Sequence, residues 1–95
     1  MKQLFRLEGL VAVVTGASRG LGKACALALG RCGAHVVCVS RNLVALEATA
    51  QELRDAGFSA SALVVDCSKE ASIIAGVASV VKEHGHLDIL VNNAG

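Results

Sequence analysis

Short apolar runs alternate with helix-period segments along the chain, and that alternation restricts it to β-α-β units rather than segregated strands and helices. Leu10 to Val14 reads as a first strand, and from about Leu21 to Arg31 the residues Ala24, Cys25, Ala28 and Leu29 recur at helical spacing. Gly30 and Gly33 supply helix-stop chemistry. His35 to Val39 is a second strand, with cap candidates in Ser40-Arg41-Asn42, and the helix after it places Leu43, Leu46, Ala50 and Leu53 on one stripe up to Gly57. Ala60 to Val65 forms a third strand closed by Asp66, with Ser68 as N-cap candidate. The third helix puts Ile73, Ile74, Val77, Val80 and Val81 on one face up to Gly85, and Leu87 to Val91 is a fourth strand. Crossovers of roughly 10 to 15 residues forbid hairpins, so the sheet is parallel. Right-handed connections then give the order 3-2-1-4, an α/β fold of Rossmann type and the first half of a doubly wound sheet. Its switch point, and therefore its ligand crevice, lies between strands one and four.

Composition narrows the partners. The 95 residues are 54% hydrophobic and carry a net charge of +1 without any Lys or Arg run. That gives one globular unit with no electrostatic footprint for nucleic acid or an acidic membrane surface. Two Phe, no Tyr and no Trp leave almost no stacking platform and no phenol for acid-base work. Cys25, Cys32, Cys38 and Cys67 lack C-x-x-C spacing and have no His at zinc-ligand offsets, so they read as reduced core or near-core thiols and no metal site is expected. No signal peptide or membrane span is evident, and the expected compartment is the cytoplasm.

The segment Thr15-Gly16-Ala17-Ser18-Arg19-Gly20-Leu21-Gly22 leaves a strand and opens a helix. Glycines there let the backbone turn tightly and approach a pyrophosphate, whose charge is drawn to free N-H groups and the positive helix end. The spacing is G-x-x-x-G-x-G, neither G-x-G-x-x-G nor a P-loop, since Lys23 has no following Ser or Thr. Three glycines in such a turn can also be turn chemistry alone.

The same eight residues, Asp66 after the third strand and Asn92-Asn93-Ala94-Gly95 after the fourth resemble the motifs of the short-chain dehydrogenase/reductase family. The likeness spans nearly the whole chain and is similar to that of compact members such as 3-oxoacyl-carrier-protein reductases and gluconate 5-dehydrogenase-like enzymes, without separating them. It implies an NAD(P)-binding Rossmann domain, hydride transfer between a nicotinamide and a carbonyl or alcohol carbon, and a homodimer or homotetramer in the complete protein. By that resemblance Gly16, Ser18, Arg19, Gly20, Leu21 and Gly22 form the cofactor loop and Thr15 is structural. Asp66 accepts the adenine amino group with the Cys67 backbone beside it, and Asn92, Ala94 and Gly95 line the ribose and crevice. Asp66 could instead merely favour the dipole of the helix that follows, and Asn92 and Asn93 could be no more than a polar strand exit.

Ser40 and Arg41 bear on which cofactor is bound. A ribose 2'-hydroxyl is held by a carboxylate near the end of strand two, whereas a 2'-phosphate needs cations. Here strand two runs into Ser40-Arg41-Asn42 with no acid until Glu47, and Arg19 lies in the glycine loop. The two guanidiniums favour NADP(H) over NAD(H), although either can be a solvated loop residue. The family's Ser and Tyr-x-x-x-Lys follow the N-N-A-G segment, and no Tyr occurs in these 95 residues. No catalytic residue is therefore assigned. His35, His84 and His86 fall on the side remote from the crevice, and Lys23 reads as a surface residue. Residues 1–95 are thus expected to form the amino-terminal part of one NAD(P)-binding domain, cut after its fourth strand, whose small-molecule carbonyl or alcohol substrate is met elsewhere. The alternative is a non-catalytic nucleotide-binding or interaction module.

Overall fold

Branched side chains extend the backbone at Val11, Val13 and Val14 and again from Val36 to Val39, and these segments become β1 (Val11–Thr15) and β2 (His35–Ser40). The computed structural model describes residues 6–93. In it β1 is followed by α1 (Gly20–Arg31), and β2 by α2 (Leu43–Asp55), β3 (Ala60–Val64), α3 (Glu70–His84) and β4 (Ile89–Val91). All pairings are parallel and the order is β3-β2-β1-β4, the order that the crossover lengths imply. Val14 stands opposite Cys38 on one side and Val91 on the other, so β1 and β4 deliver their carboxyl ends to one edge.

Strand alternation divides the core in two. Val14, Val36 and Cys38 pack with Ala26, Leu46 and Leu53 from α1 and α2 on one face. Val11, Val13, Val37 and Val39 pack with Val80 of α3 on the other. Burial pushes the Cys38 thiol up to about 11, which keeps it protonated and inert. Cys25 and Cys32 are half-buried, but Cys67 is exposed, which corrects the expectation of core or near-core thiols at that position.

The helices depart from the expected stripes in an instructive way. α1 buries Gly22, Ala26 and Gly30, one turn apart, while Ala24 and Ala28 face solvent. Close approach decides this, because a Cβ on Gly30 would stand 3.1 Å from the Phe58 ring. On α2, Leu46, Ala50 and Leu53 are buried but Leu43, in the first turn, is exposed, and Asn42 caps the helix by accepting the Ala45 N-H at 3.1 Å. On α3 only Gly76 and Val80 are buried, and Ile73, Ile74, Val77 and Val81 remain exposed. The N-cap of α3 is Lys69, without a side-chain cap, and not Ser68, whose hydroxyl donates to Asp66 instead. The third strand stops at Val64 rather than Val65, and Gly30 lies inside α1 rather than ending it.

The fourth strand begins at Ile89 rather than Leu87, and Asp88 supplies the reason. Its carboxylate accepts the Val11 N-H at 2.8 Å while its own N-H donates to Val11 O at 2.9 Å, so the chain is pinned to β1 before pairing starts. The Val11 N-H bond, with help from the His86 ring, holds the Asp88 carboxyl below the usual carboxylate range. A depressed pKa in the folded state adds stability that is present above the unfolded value of about 3.9 and lost as pH falls through the folded value. Asp88→Ala should therefore lower the melting temperature at pH 7, and the gap to the unaltered chain should close as pH drops below about 4. A gap of constant size from pH 7 to pH 2 in thermal melts would refute the assignment.

Candidate functional site

Thr15 joins the two motif segments. Its hydroxyl accepts the Asn93 N-H at 2.8 Å and has Val91 O at 3.3 Å and Asn92 Oδ1 at 3.2 Å as acceptors for its proton. The turn after β1 is thereby tied to the exit of β4. Ala17 N-H donates to Val39 O at 3.4 Å, which fixes the same turn to β2.

Two glycines make this junction possible. Gly16 has φ +61, and a Cβ there would stand 2.5 Å from Asn93 O. A Cβ on Gly22 would stand 2.1 Å from Gly16 O and 2.8 Å from Asn93 Nδ2. The first turn of α1 therefore rests directly on the loop backbone, with no side chain between. That turn contains no acidic residue, so the positive end of the helix is not neutralised from within it.

Around the loop lies an open crevice of about 910 Å³. The glycine loop supplies Gly16, Ser18, Arg19, Gly20 and Leu21, the end of β2 supplies Ser40 and Arg41, and the β3-α3 loop supplies Asp66 and Cys67. These are nine of the residues picked from the sequence, brought together from three strand ends. Gly22 lies beneath the loop and not on the crevice wall, because its role is close packing. Asn92 faces the neighbouring apolar cleft together with Thr15, and Ala94 and Gly95 lie outside the described residues. Val65, Ser68 and Asn93 also line the crevice and were not singled out for it. Asn93 could have been found from the N-N-A-G segment itself, since Asn92 and Asn93 alternate in direction as the chain leaves the strand.

The electrostatics of the crevice are set by Arg19 and Arg41 against one acid. Among the described residues Asp66 is its only lining acidic side chain, and the hydroxyl and N-H of Ser68 hold its carboxyl below the usual range. It is ionised near neutral pH and acts only as an acceptor. Among the described residues no cluster of three metal-ligating side chains occurs, and no helix is long and apolar enough to cross a membrane.

The histidines gather at the opposite end of the sheet. The His35 ring nitrogens meet Ser59 Oγ at 2.5 Å and Ser61 Oγ at 3.0 Å, and its ring centroid lies 4.4 Å from that of His84, the last residue of α3. Burial, and then the neighbouring His84, holds His35 below the usual imidazole range. His86 pairs with Asp88. None of the three lines the crevice.

Known proteins share this fold. The chain is 44% identical over 92 residues to gluconate 5-dehydrogenase of Gluconobacter oxydans, covering 97% of this chain and 36% of that protein. It is 43% identical over 89 residues to 3-oxoacyl-acyl-carrier-protein reductase of Pseudomonas aeruginosa, covering 94% of this chain and 36% of that one. The chain thus spans little more than a third of the length of these relatives. A metagenomic short-chain oxidoreductase crystallised in complex with NADP superimposes with a TM-score of 0.91 at 47% identity, over 94% of this chain and 40% of that one. The short-chain dehydrogenase family model matches residues 10–95. The chain belongs to the short-chain dehydrogenase family.

Proposed function

We propose that the chain is the cofactor-binding half of an NADP-dependent short-chain oxidoreductase, residues 1–95 forming the amino-terminal part of one dinucleotide-binding domain. The observation that carries the NADP preference is that the guanidinium-bearing Arg19 and Arg41 both line the crevice, while the end of β2 offers no acid. The residues present suit a dinucleotide, because Gly16 and Gly22 leave backbone where a Cβ would otherwise stand. Gly16, Ser18, Gly20 and Leu21 would hold the pyrophosphate over the first turn of α1, supported from beneath by Gly22. Arg19, Ser40 and Arg41 would take the 2'-phosphate, Asp66 and the Cys67 backbone the adenine, and, by the family resemblance, Asn92, Ala94 and Gly95 the ribose.

When bound, the nicotinamide would deliver a hydride to a carbonyl carbon of a small-molecule substrate or accept one from an alcohol carbon. No residue of this chain is assigned a proton-transfer role. The complete protein is proposed to be cytoplasmic and to work as a homodimer or homotetramer. Likeness to relatives named as a dehydrogenase and a reductase supports the reaction class, and the NADP in a solved relative supports the cofactor.

Titration with NADPH and NADH tests the reading. The unaltered protein should bind NADPH more tightly, and Arg41→Asp should reverse the order. Loss of one charge-assisted bond is worth about 1.5 to 3 kcal/mol, so NADPH affinity should fall roughly 10-fold to 150-fold. Equal affinity of the unaltered protein for both cofactors would refute the preference.

A further inference from the structure

Asp66 is held from three directions by Ser68, Lys69 and Ser72, and of these Ser68 alone also lines the crevice. Its N-H, just beyond β3, donates to Ser72 Oγ at 2.9 Å. Its carbonyl accepts the Lys69 N-H at 3.0 Å. Its carboxylate accepts the Ser68 N-H at 3.0 Å and the Ser68 hydroxyl at 2.6 Å, both on Oδ1. The second carboxylate oxygen keeps its lone pairs for another donor.

The Ser72 bond differs in kind from the others. Ser68 and Lys69 close a local turn, which can form wherever the loop happens to sit. Ser72 is half-buried in the first turn of α3, six residues on, and its hydroxyl ties the end of the strand to the helix. A part-buried backbone N-H left without that partner would have to turn toward water, and the Asp66 carboxylate would turn with it.

We propose that Ser72 is a positioning residue for base recognition: by fixing the Asp66 main chain it sets the carboxylate toward the exocyclic amine of a bound adenine. The inference rests on the cofactor reading above. Ser72 does not line the crevice, and it acts on the base only through Asp66.

The test uses NADPH and its hypoxanthine analogue, in which a carbonyl replaces the 6-amino group. The unaltered chain should prefer NADPH, because a carbonyl cannot donate to a carboxylate. Ser72→Ala should weaken NADPH binding about threefold to tenfold, the worth of one hydrogen bond, while leaving the analogue nearly unchanged. Ser72→Thr keeps the hydroxyl and should restore the preference. A purely structural defect would weaken both ligands alike, so equal loss in Ser72→Ala overturns the proposal, as does undiminished NADPH binding. If the unaltered chain binds neither dinucleotide, the cofactor reading falls and the inference falls with it, a result distinct from failure of Ser72 alone.

Discussion

Gly22→Ala should abolish detectable dinucleotide binding and lower the melting temperature. The added methyl would stand 2.1 Å from Gly16 O and 2.7 Å from Gly16 C, and both atoms are backbone, so no rotamer change relieves the contact. Either α1 or the loop must move. Both are tethered: the loop to Asn93 through Thr15 and to β2 through Ala17, and α1 to α2 through packing and the Lys23 ion pair with Glu52 at 2.7 Å. Overpacking of this kind costs about 1 to 3 kcal/mol. The loss of binding should be larger in proportion, because the displaced atoms are the proposed pyrophosphate cradle. Lys23→Ala, one position further, serves as the control. It removes only a partly exposed ion pair, worth up to about 1 kcal/mol, and should bind dinucleotide normally. Calorimetric titration and thermal melts of the two variants decide the matter, and normal binding by Gly22→Ala would show that the loop does not depend on direct contact with α1.

The order of the sheet was legible in the sequence because it depends on coarse quantities, the crossover lengths and the handedness of their connections. Boundaries were less so, and each miss has a local cause. Nothing in the apolar run from Leu87 to Val91 reveals that Asp88 reaches back across 77 positions to cap the Val11 N-H. Ser68 has the composition of an N-cap, yet Asp66 two residues earlier competes for its hydroxyl and wins at 2.6 Å. The buried face of α1 escaped a count of aliphatic residues because closeness there is achieved by Gly22 and Gly30, which carry no apolar side chain to count.

The crevice was legible for the opposite reason. Its walls come from strand ends, where polar and glycine residues interrupt apolar runs and are therefore visible. Gly16, Arg19, Arg41 and Asp66 all stand at such interruptions and all reach the crevice. Val65 also lines it but is indistinguishable in sequence from the strand that precedes it, whereas Asn93 stands in the same polar N-N-A-G interruption as Asn92. Ser72 was hidden altogether. A serine in the first turn of an amphipathic helix is ordinary, and only the fold shows that it faces the Asp66 N-H.

The isolated 95-residue chain should self-associate through the face carrying α3 and should bind hydrophobic dyes. The sheet has apolar side chains on both faces, but the helices are shared unequally. α1 and α2 bury Leu46, Leu53 and Ala26 against one side, whereas α3 alone covers the other and buries only Gly76 and Val80. Between α3 and the β1-β4 edge lies an apolar cleft of about 270 Å³, lined by Val13, Leu63, Ile73, Val77, Leu87 and Leu90 among others. Leu90 is 61% exposed, Ile74 61% and Val77 46%, although each lies in an element whose pattern calls for burial. β4 is also an edge strand, so its outer N-H and C=O groups are free of a neighbouring strand. Contiguous apolar surface beyond a few hundred Å² is rare on a stable monomer, and water is driven from it by whatever surface is at hand. At micromolar concentrations that surface is a second copy. Sedimentation velocity should therefore show species larger than a monomer, and dye fluorescence should rise on mixing. Val77→Lys with Leu90→Lys places two charges on the exposed patch without touching the core around Leu46 and Leu53, and should shift the chain toward monomer and suppress the dye signal. A monodisperse, monomeric unaltered chain with no dye binding would show that α3 covers its face more completely than the exposure of Ile74, Val77 and Leu90 implies.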